Sequence, residues 1–237
     1  MGGVLGKPFS GADVSGRLPG TLARVRGTAG GDVRPAAWWR PTARTGVHML
    51  CLVPLALLIA EGLAGHLGAN PIEAVIRDLG DWALRFLVIA LAVTPLRKAA
   101  RWPGIARYRR MLGLWAFAYA GLHMLSYVVL DQFFDWANIL HEIVKHRFIT
   151  VGMAAFVMLV PLVVTSTKGM VRRLGGARWR KLHRLVYIIG PLAVVHYFWM
   201  VKADIRQPLV YAGLICLLLG YRLVVVLRDQ QVLAKEP

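Results

Sequence analysis

Cysteine is nearly absent from this 237-residue chain: there are two, Cys51 and Cys216, and each lies inside an apolar run. That argues against a disulfide framework. No CxxCH occurs, so nothing signals covalent c-type haem attachment, and without CxxC pairs or an HExxH a zinc site has no support. A glycine-rich nucleotide fingerprint is missing too. No period of about 20–50 residues repeats, which excludes solenoids and propellers. Acid is scarce: 12 Asp+Glu stand against 29 Lys+Arg, a formal charge of +17. In a soluble protein that excess would suggest nucleic acid. Here the charge sits between apolar runs, so a membrane accounts for it and no nucleic-acid partner is expected.

What is abundant is apolar sequence. Hydrophobic residues make up 57% of the chain and mean hydropathy is +0.54. Several runs approach the ~20 residues that cross a bilayer as a helix. The reading is an all-α polytopic membrane protein, a bundle of six transmembrane helices over about 47–65, 82–96, 111–130, 148–165, 184–201 and 207–226. Asn70 and Pro71 fall in a short loop, residues 131–147 form a longer one, and two strongly basic loops follow the second and fourth spans. Residues 1–45, rich in Gly, Arg, Pro and Ala, read as a disordered basic tail, or as an over-extended start ahead of Met49. They contain no apolar h-region and so no signal peptide. Residues 46–228 form the membrane domain and 229–237 a short polar tail.

Charge asymmetry orients the bundle. With the N-terminus in the cytoplasm, the inside segments (1–46, 97–110, 166–184 and 222–237) hold 23 Lys/Arg and 4 Asp/Glu, and the outside loops (66–81, 131–147 and 202–206) hold 5 and 7. The positive-inside rule then places both termini in the cytoplasm.

Histidine inside a membrane segment is costly and functional by default. His123 lies 13 residues outward from Arg110 on the third span, and His196 lies 13 residues outward from His183 on the fifth. At 1.5 Å per residue each is ~20 Å along its helix, so the two share a level. Two imidazoles at one level can hold a haem iron from both faces, which leaves no position open for oxygen or substrate and suits electron transfer. His183, near the inner edge, is a candidate ligand for a second haem. No histidine answers it on the third span, where Arg109 and Arg110 stand instead. Thirteen residues also turn through about 220° net, so His183 and His196 share a face only if the helix kinks, and Gly190-Pro191 lies between them. Arg109 and Arg110 are placed to meet haem propionates, or simply to set topology. Arg85 and Glu61 fall near the outer ends of neighbouring spans, where they can pair, snorkel or, for Arg85, meet a propionate. The plainer alternatives for the histidines are helix–helix hydrogen bonding and a proton relay.

Three segments resemble a known family: RRMLGLWAFAYAGLHMLSYVVLDQ at 109–132, HRFITVG at 146–152, and TSTKGMVRRLGGARWRKLHRLVYIIGPLAVVHYFW at 165–199, with TPLR at 94–97 in the same pattern. The chain from about 47 to 228 is similar to MsrQ (YedZ), the haem-binding membrane subunit of a periplasmic methionine-sulfoxide reductase system, within the ferric-reductase-like transmembrane superfamily. The resemblance implies a six-helix protein of the bacterial inner membrane that carries haem b, one or two, and FMN. It implies electrons taken from a cytoplasmic flavin reductase or the quinone pool and passed to a periplasmic molybdopterin subunit, MsrP, where the sulfoxide is reduced. The haem histidines it implies are His123, His183 and His196. Two competing functions stand beside it: a self-sufficient ferric or superoxide oxidoreductase using the same haems, and a non-haem transporter with a histidine proton relay.

Overall fold

The computed structural model describes residues 41–101, 103–201 and 204–233. These residues form eight α-helices and no strand: α1 (Pro41–Leu63), α2 (Pro71–Ala99), α3 (Tyr108–Ser126), α4 (Trp136–Lys145), α5 (Arg147–Val164), α6 (Lys168–His183), α7 (Val186–Met200) and α8 (Arg206–Leu233). A 3₁₀ turn, Pro103–Arg107, leads into α3, and a π turn, Tyr127–Asp131, ends it. The all-α expectation holds. Most of the basic tail lies outside the described residues, and α1 begins ahead of the boundary placed at 46. At the other end α8 runs through 229–233, where a polar tail was expected.

Three segments expected as loops are helical, and each starts on a capping side chain. Asn70 accepts from the Glu73 N–H at 3.3 Å, with Pro71 in the first turn, so α2 begins well before residue 82. Asp135 accepts from the Asn138 N–H at 3.0 Å and starts α4. Thr167 accepts from the Met170 N–H at 3.2 Å and starts α6, which is broken at Gly175 (φ 73°).

Among the described residues, five helical stretches are long and apolar enough to cross a membrane: 42–63, 71–99, 103–131, 147–164 and 206–225. α7 is apolar but only 15 residues long, ~22 Å at 1.5 Å per residue, because the chain turns at Arg184 and Leu185 through i→i+3 bonds before it starts. His183 and His196 therefore lie on different helices.

α2 is the centre of the packing. It carries Leu84, Phe86, Leu87, Leu91 and Val93 into a core shared with Ala116 and Tyr119 of α3, Ile189 and Val194 of α7, and Ile215 and Leu218 of α8. Leucine, isoleucine and valine remain exposed along α1, α5 and α8, an outward apolar surface of the kind a lipid solvent accommodates and water does not. Inside the bundle, backbone groups must find partners within the protein. Pro95 cannot donate to the Leu91 carbonyl, and Arg222 of α8 supplies the donor: its Nη2 reaches Leu91 O at 2.8 Å and Thr94 Oγ1 at 3.1 Å. The Tyr119 hydroxyl bonds to the backbone of α1, accepting from the Leu55 N–H at 3.2 Å and donating to the Cys51 carbonyl at 2.8 Å.

Candidate cofactor site

α2, α3, α5 and α7 enclose a cavity of about 450 Å³, within the range of cofactor and ligand pockets. Its deep part is apolar, with Leu87, Ala116, Leu159 and Ile189; towards the α4 end it becomes polar, with Glu73, Arg77, Tyr127, Asp131, Gln132 and Glu142. Between these regions stand His123 of α3 and His196 of α7, ring centres 6.1 Å apart and ring planes at 74°.

The two imidazoles are held in the same way by different helices. His123 Nδ1 lies 2.8 Å from the Ile76 carbonyl of α2, and His196 Nδ1 lies 2.7 Å from the Phe148 carbonyl of α5. A carbonyl only accepts, so each Nδ1 carries the proton and donates it, which leaves Nε2 with a free lone pair in the neutral ring. Each anchoring carbonyl belongs to the residue four before a glycine, and the ring packs on that glycine. A Cβ at Gly80 would stand 3.1 Å from His123 Nδ1, and one at Gly152 only 2.6 Å from His196 Nδ1. Neither position has room for a side chain without displacing an imidazole.

An imidazole whose second nitrogen donates to a backbone carbonyl is oriented and made more basic as a metal ligand. Two metal–nitrogen bonds of about 2 Å each, plus the reach from nitrogen to ring centre, separate two axial imidazoles by ~6 Å, close to the observed spacing. The cavity, the tautomers and the spacing all fit a haem held between the rings. No cluster of three or more His, Cys, Asp or Glu able to hold a bare metal ion occurs among the described residues. A proton relay is poorly served, because both Nδ1–H groups end on carbonyls.

His183 lies elsewhere, at the C-terminal end of α6. Its Nδ1 is 3.1 Å from the Trp179 carbonyl, and its ring stacks on Trp179 at 4.0 Å. Burial, and the nearby Arg109 guanidinium, push its pKa below the ordinary histidine value. Neither His183, Arg109 nor Arg110 lines the cavity. Arg85 does not pair with Glu61: it bonds the Tyr211 hydroxyl at 3.2 Å and stands 3.6 Å from Asp81. The sequence reading missed Gly80 and Gly152, the two anchoring carbonyls and Arg77. Tyr127, which also lines the cavity, follows His123 by four residues and so shares its face.

Fold and paired histidines define a class, the polytopic all-α membrane proteins with imidazoles buried between helices, and the comparisons agree with it. Residues 79–194 match the family model described as ferric reductase like transmembrane component; His123 and His183 lie inside that stretch and His196 just beyond it. The chain is 57% identical over 188 residues to the protein-methionine-sulfoxide reductase heme-binding subunit MsrQ of Rhodospirillum rubrum, covering 79% of this chain and 90% of that protein. It is 51% identical over 176 residues to the MsrQ of Caulobacter vibrioides (74% and 84% covered) and 50% identical over 178 residues to that of Herminiimonas arsenicoxydans (74% and 82% covered). No solved structure matches the chain. The chain belongs to the MsrQ family and is a multi-pass integral membrane protein.

Proposed function

We propose that this chain is a haem b-carrying electron-transfer subunit of the bacterial inner membrane. In this reading it passes electrons from a cytoplasmic flavin reductase or the quinone pool to a periplasmic molybdopterin methionine-sulfoxide reductase, MsrP, in support of repair of oxidised proteins. The observation that carries the reading is the His123–His196 pair, 6.1 Å apart and each anchored through Nδ1 on a neighbouring helix. The names of the relatives, heme-binding subunits, point the same way. Haem, when bound, supplies one-electron redox chemistry. His123 and His196 would hold it through their free Nε2 lone pairs, and Leu87, Ala116, Leu159 and Ile189 would line the apolar inner part of its site.

Six spans are assigned, with α7 as the short fifth and both termini cytoplasmic. That places α4 and the polar end of the cavity on the periplasmic side, within reach of a partner, and α6 with its arginines on the cytoplasmic side. The membrane domain is residues 46–228, with 1–45 and 229–237 as cytoplasmic tails. His183, with Arg109 beside it and Arg110 next in sequence, is assigned to a second haem near the cytoplasmic face. The FMN implied by the resemblance belongs on the helical domain or its loops.

The test is reoxidation of the chemically reduced protein. Rapid reoxidation by MsrP together with methionine sulfoxide, and not by the sulfoxide alone, is expected. Equally fast reoxidation by ferric iron or superoxide with no partner present would replace this reading with a self-sufficient oxidoreductase.

A further inference from the structure

α4 presents three different sides along its 10 residues. Ile139 is buried in the bundle, and Glu142, its neighbour on the helix surface, lines the cavity. Asn138, His141 and Lys145 form an exposed polar side. Trp136, Leu140 and Val144 form the third. They follow one another at four-residue steps, each about 40° round from the last, and so make one stripe. They are 62%, 65% and 85% exposed, and the stripe carries no charge. Just ahead of it Phe133 and Phe134 are exposed too. Both have left-handed backbone (φ 46° and 63°), which strains a bulky side chain.

What covers the stripe follows from how α4 is tethered. It sits between two stretches long and apolar enough to cross a membrane, 103–131 and 147–164, and only His146 separates it from the second. Thr150 Oγ1 donates to the Ile143 carbonyl and ties the last turn of α4 to the first turn of α5. A helix held in this way lies at the bilayer surface. α7 ends at the same level, because His196 bonds to Phe148 in that first turn of α5, and Phe198 and Trp199 beyond it are exposed. Tryptophan and its aromatic relatives gather where acyl chains meet headgroups. A water-soluble partner would meet the side of Asn138, His141 and Lys145, not the stripe. We infer that α4 is an interfacial helix, seated in the leaflet at its end of the bundle. Trp136, Leu140 and Val144 rest on the acyl chains, and Asn138, His141 and Lys145 face water. Apolar contact makes the seat, so a zwitterionic lipid suffices. The seat steadies the end of the histidine cavity, since α4 supplies Glu142 to its lining and is bonded to the turn whose Phe148 carbonyl anchors His196. It requires only that the bundle spans a membrane and does not depend on haem.

The full-length protein is placed singly in phosphatidylcholine nanodiscs, with Cys51→Ala and Cys216→Ala removing the native thiols. Nitroxide labels are attached one at a time through Leu140→Cys, Val144→Cys, His141→Cys and Lys145→Cys. Collisions with oxygen, which concentrates in lipid, are compared with collisions with a water-soluble nickel chelate. Oxygen is expected to dominate at 140 and 144 and the nickel chelate at 141 and 145, with ratios differing several-fold between the two sides. Nickel dominance at all four positions overturns the seat and leaves the stripe in water. Labels at 140 and 144 shielded from both reagents, or broadened by a second label nearby, give the stripe to protein, a second copy included, and also overturn it. Trp136 supplies a reading that needs no cysteine. The fluorescence lost in Trp136→Phe is expected to be quenched by lipids brominated high on the acyl chain more than by lipids brominated near its methyl end. Quenching by neither lipid overturns the seat.

Discussion

Gly152 and His196 stand so close that a single added carbon on the glycine would lie 2.6 Å from the imidazole Nδ1. The ring can donate to the Phe148 carbonyl only because α5 has no side chain at that point. Gly80 does the same for His123 with more room, at 3.1 Å. Alanine is the better helix former by ~1 kcal/mol, so a substitution here sets helix propensity against overpacking of about 1–3 kcal/mol. Gly152→Ala is expected to lower haem content several-fold and to broaden or shift the low-spin spectrum. Gly80→Ala is expected to do less. Haem quantification on both variants checks the order, and equal, unchanged haem content would show that the glycines do not set the ring positions.

The Tyr119 hydroxyl ties α3 to the backbone of α1 through the Leu55 N–H and the Cys51 carbonyl. Tyr119→Phe removes both bonds, and a lost partner of this kind costs about 1–3 kcal/mol. The expected result is a lower thermal midpoint with the visible spectrum unchanged, since Tyr119 does not line the cavity. A spectral change without loss of stability would contradict this structural role.

Arg222 acts on the carbonyl that Pro95 leaves without a donor. Arg222→Met is expected to destabilise the protein, and Pro95→Ala, which restores an N–H four residues after Leu91, is expected to reduce that loss. A coupling of about 1 kcal/mol in the double-mutant cycle is predicted. Strict additivity would mean that Arg222 and Pro95 do not act on the same group.

Much of this arrangement was legible in the sequence, and the parts that were not have identifiable causes. The all-α membrane class followed from apolar runs. The meeting of His123 and His196 followed from their equal 13-residue offsets along two spans. The extent of α2 did not, because Glu73, Arg77, Asp78 and Asp81 crowd its first turns and carry no apolar signal. The start was nonetheless written in Asn70-Pro71-x-Glu73, a cap, a first-turn proline and a first-turn acid. Asp135 and Thr167 marked α4 and α6 in the same way, beneath sequences polar enough to read as loops. Expecting His183 and His196 on one helix failed at Arg184–Leu185, where no proline or glycine announces the turn. The carbonyl anchors were out of reach: every residue has a carbonyl, and which one meets an imidazole is settled only when α2 packs on α3 and α5 on α7.

The central claim is that His123 and His196 hold one haem between them. The most direct measurement is the reduced-minus-oxidised visible spectrum, with haem quantification, of wild type, His123→Ala and His196→Ala expressed with ample haem. A b-type, six-coordinate low-spin spectrum in wild type that loses the same component in both variants is the predicted result. Full low-spin haem content in either variant, or a wild type that carries no haem, would contradict it.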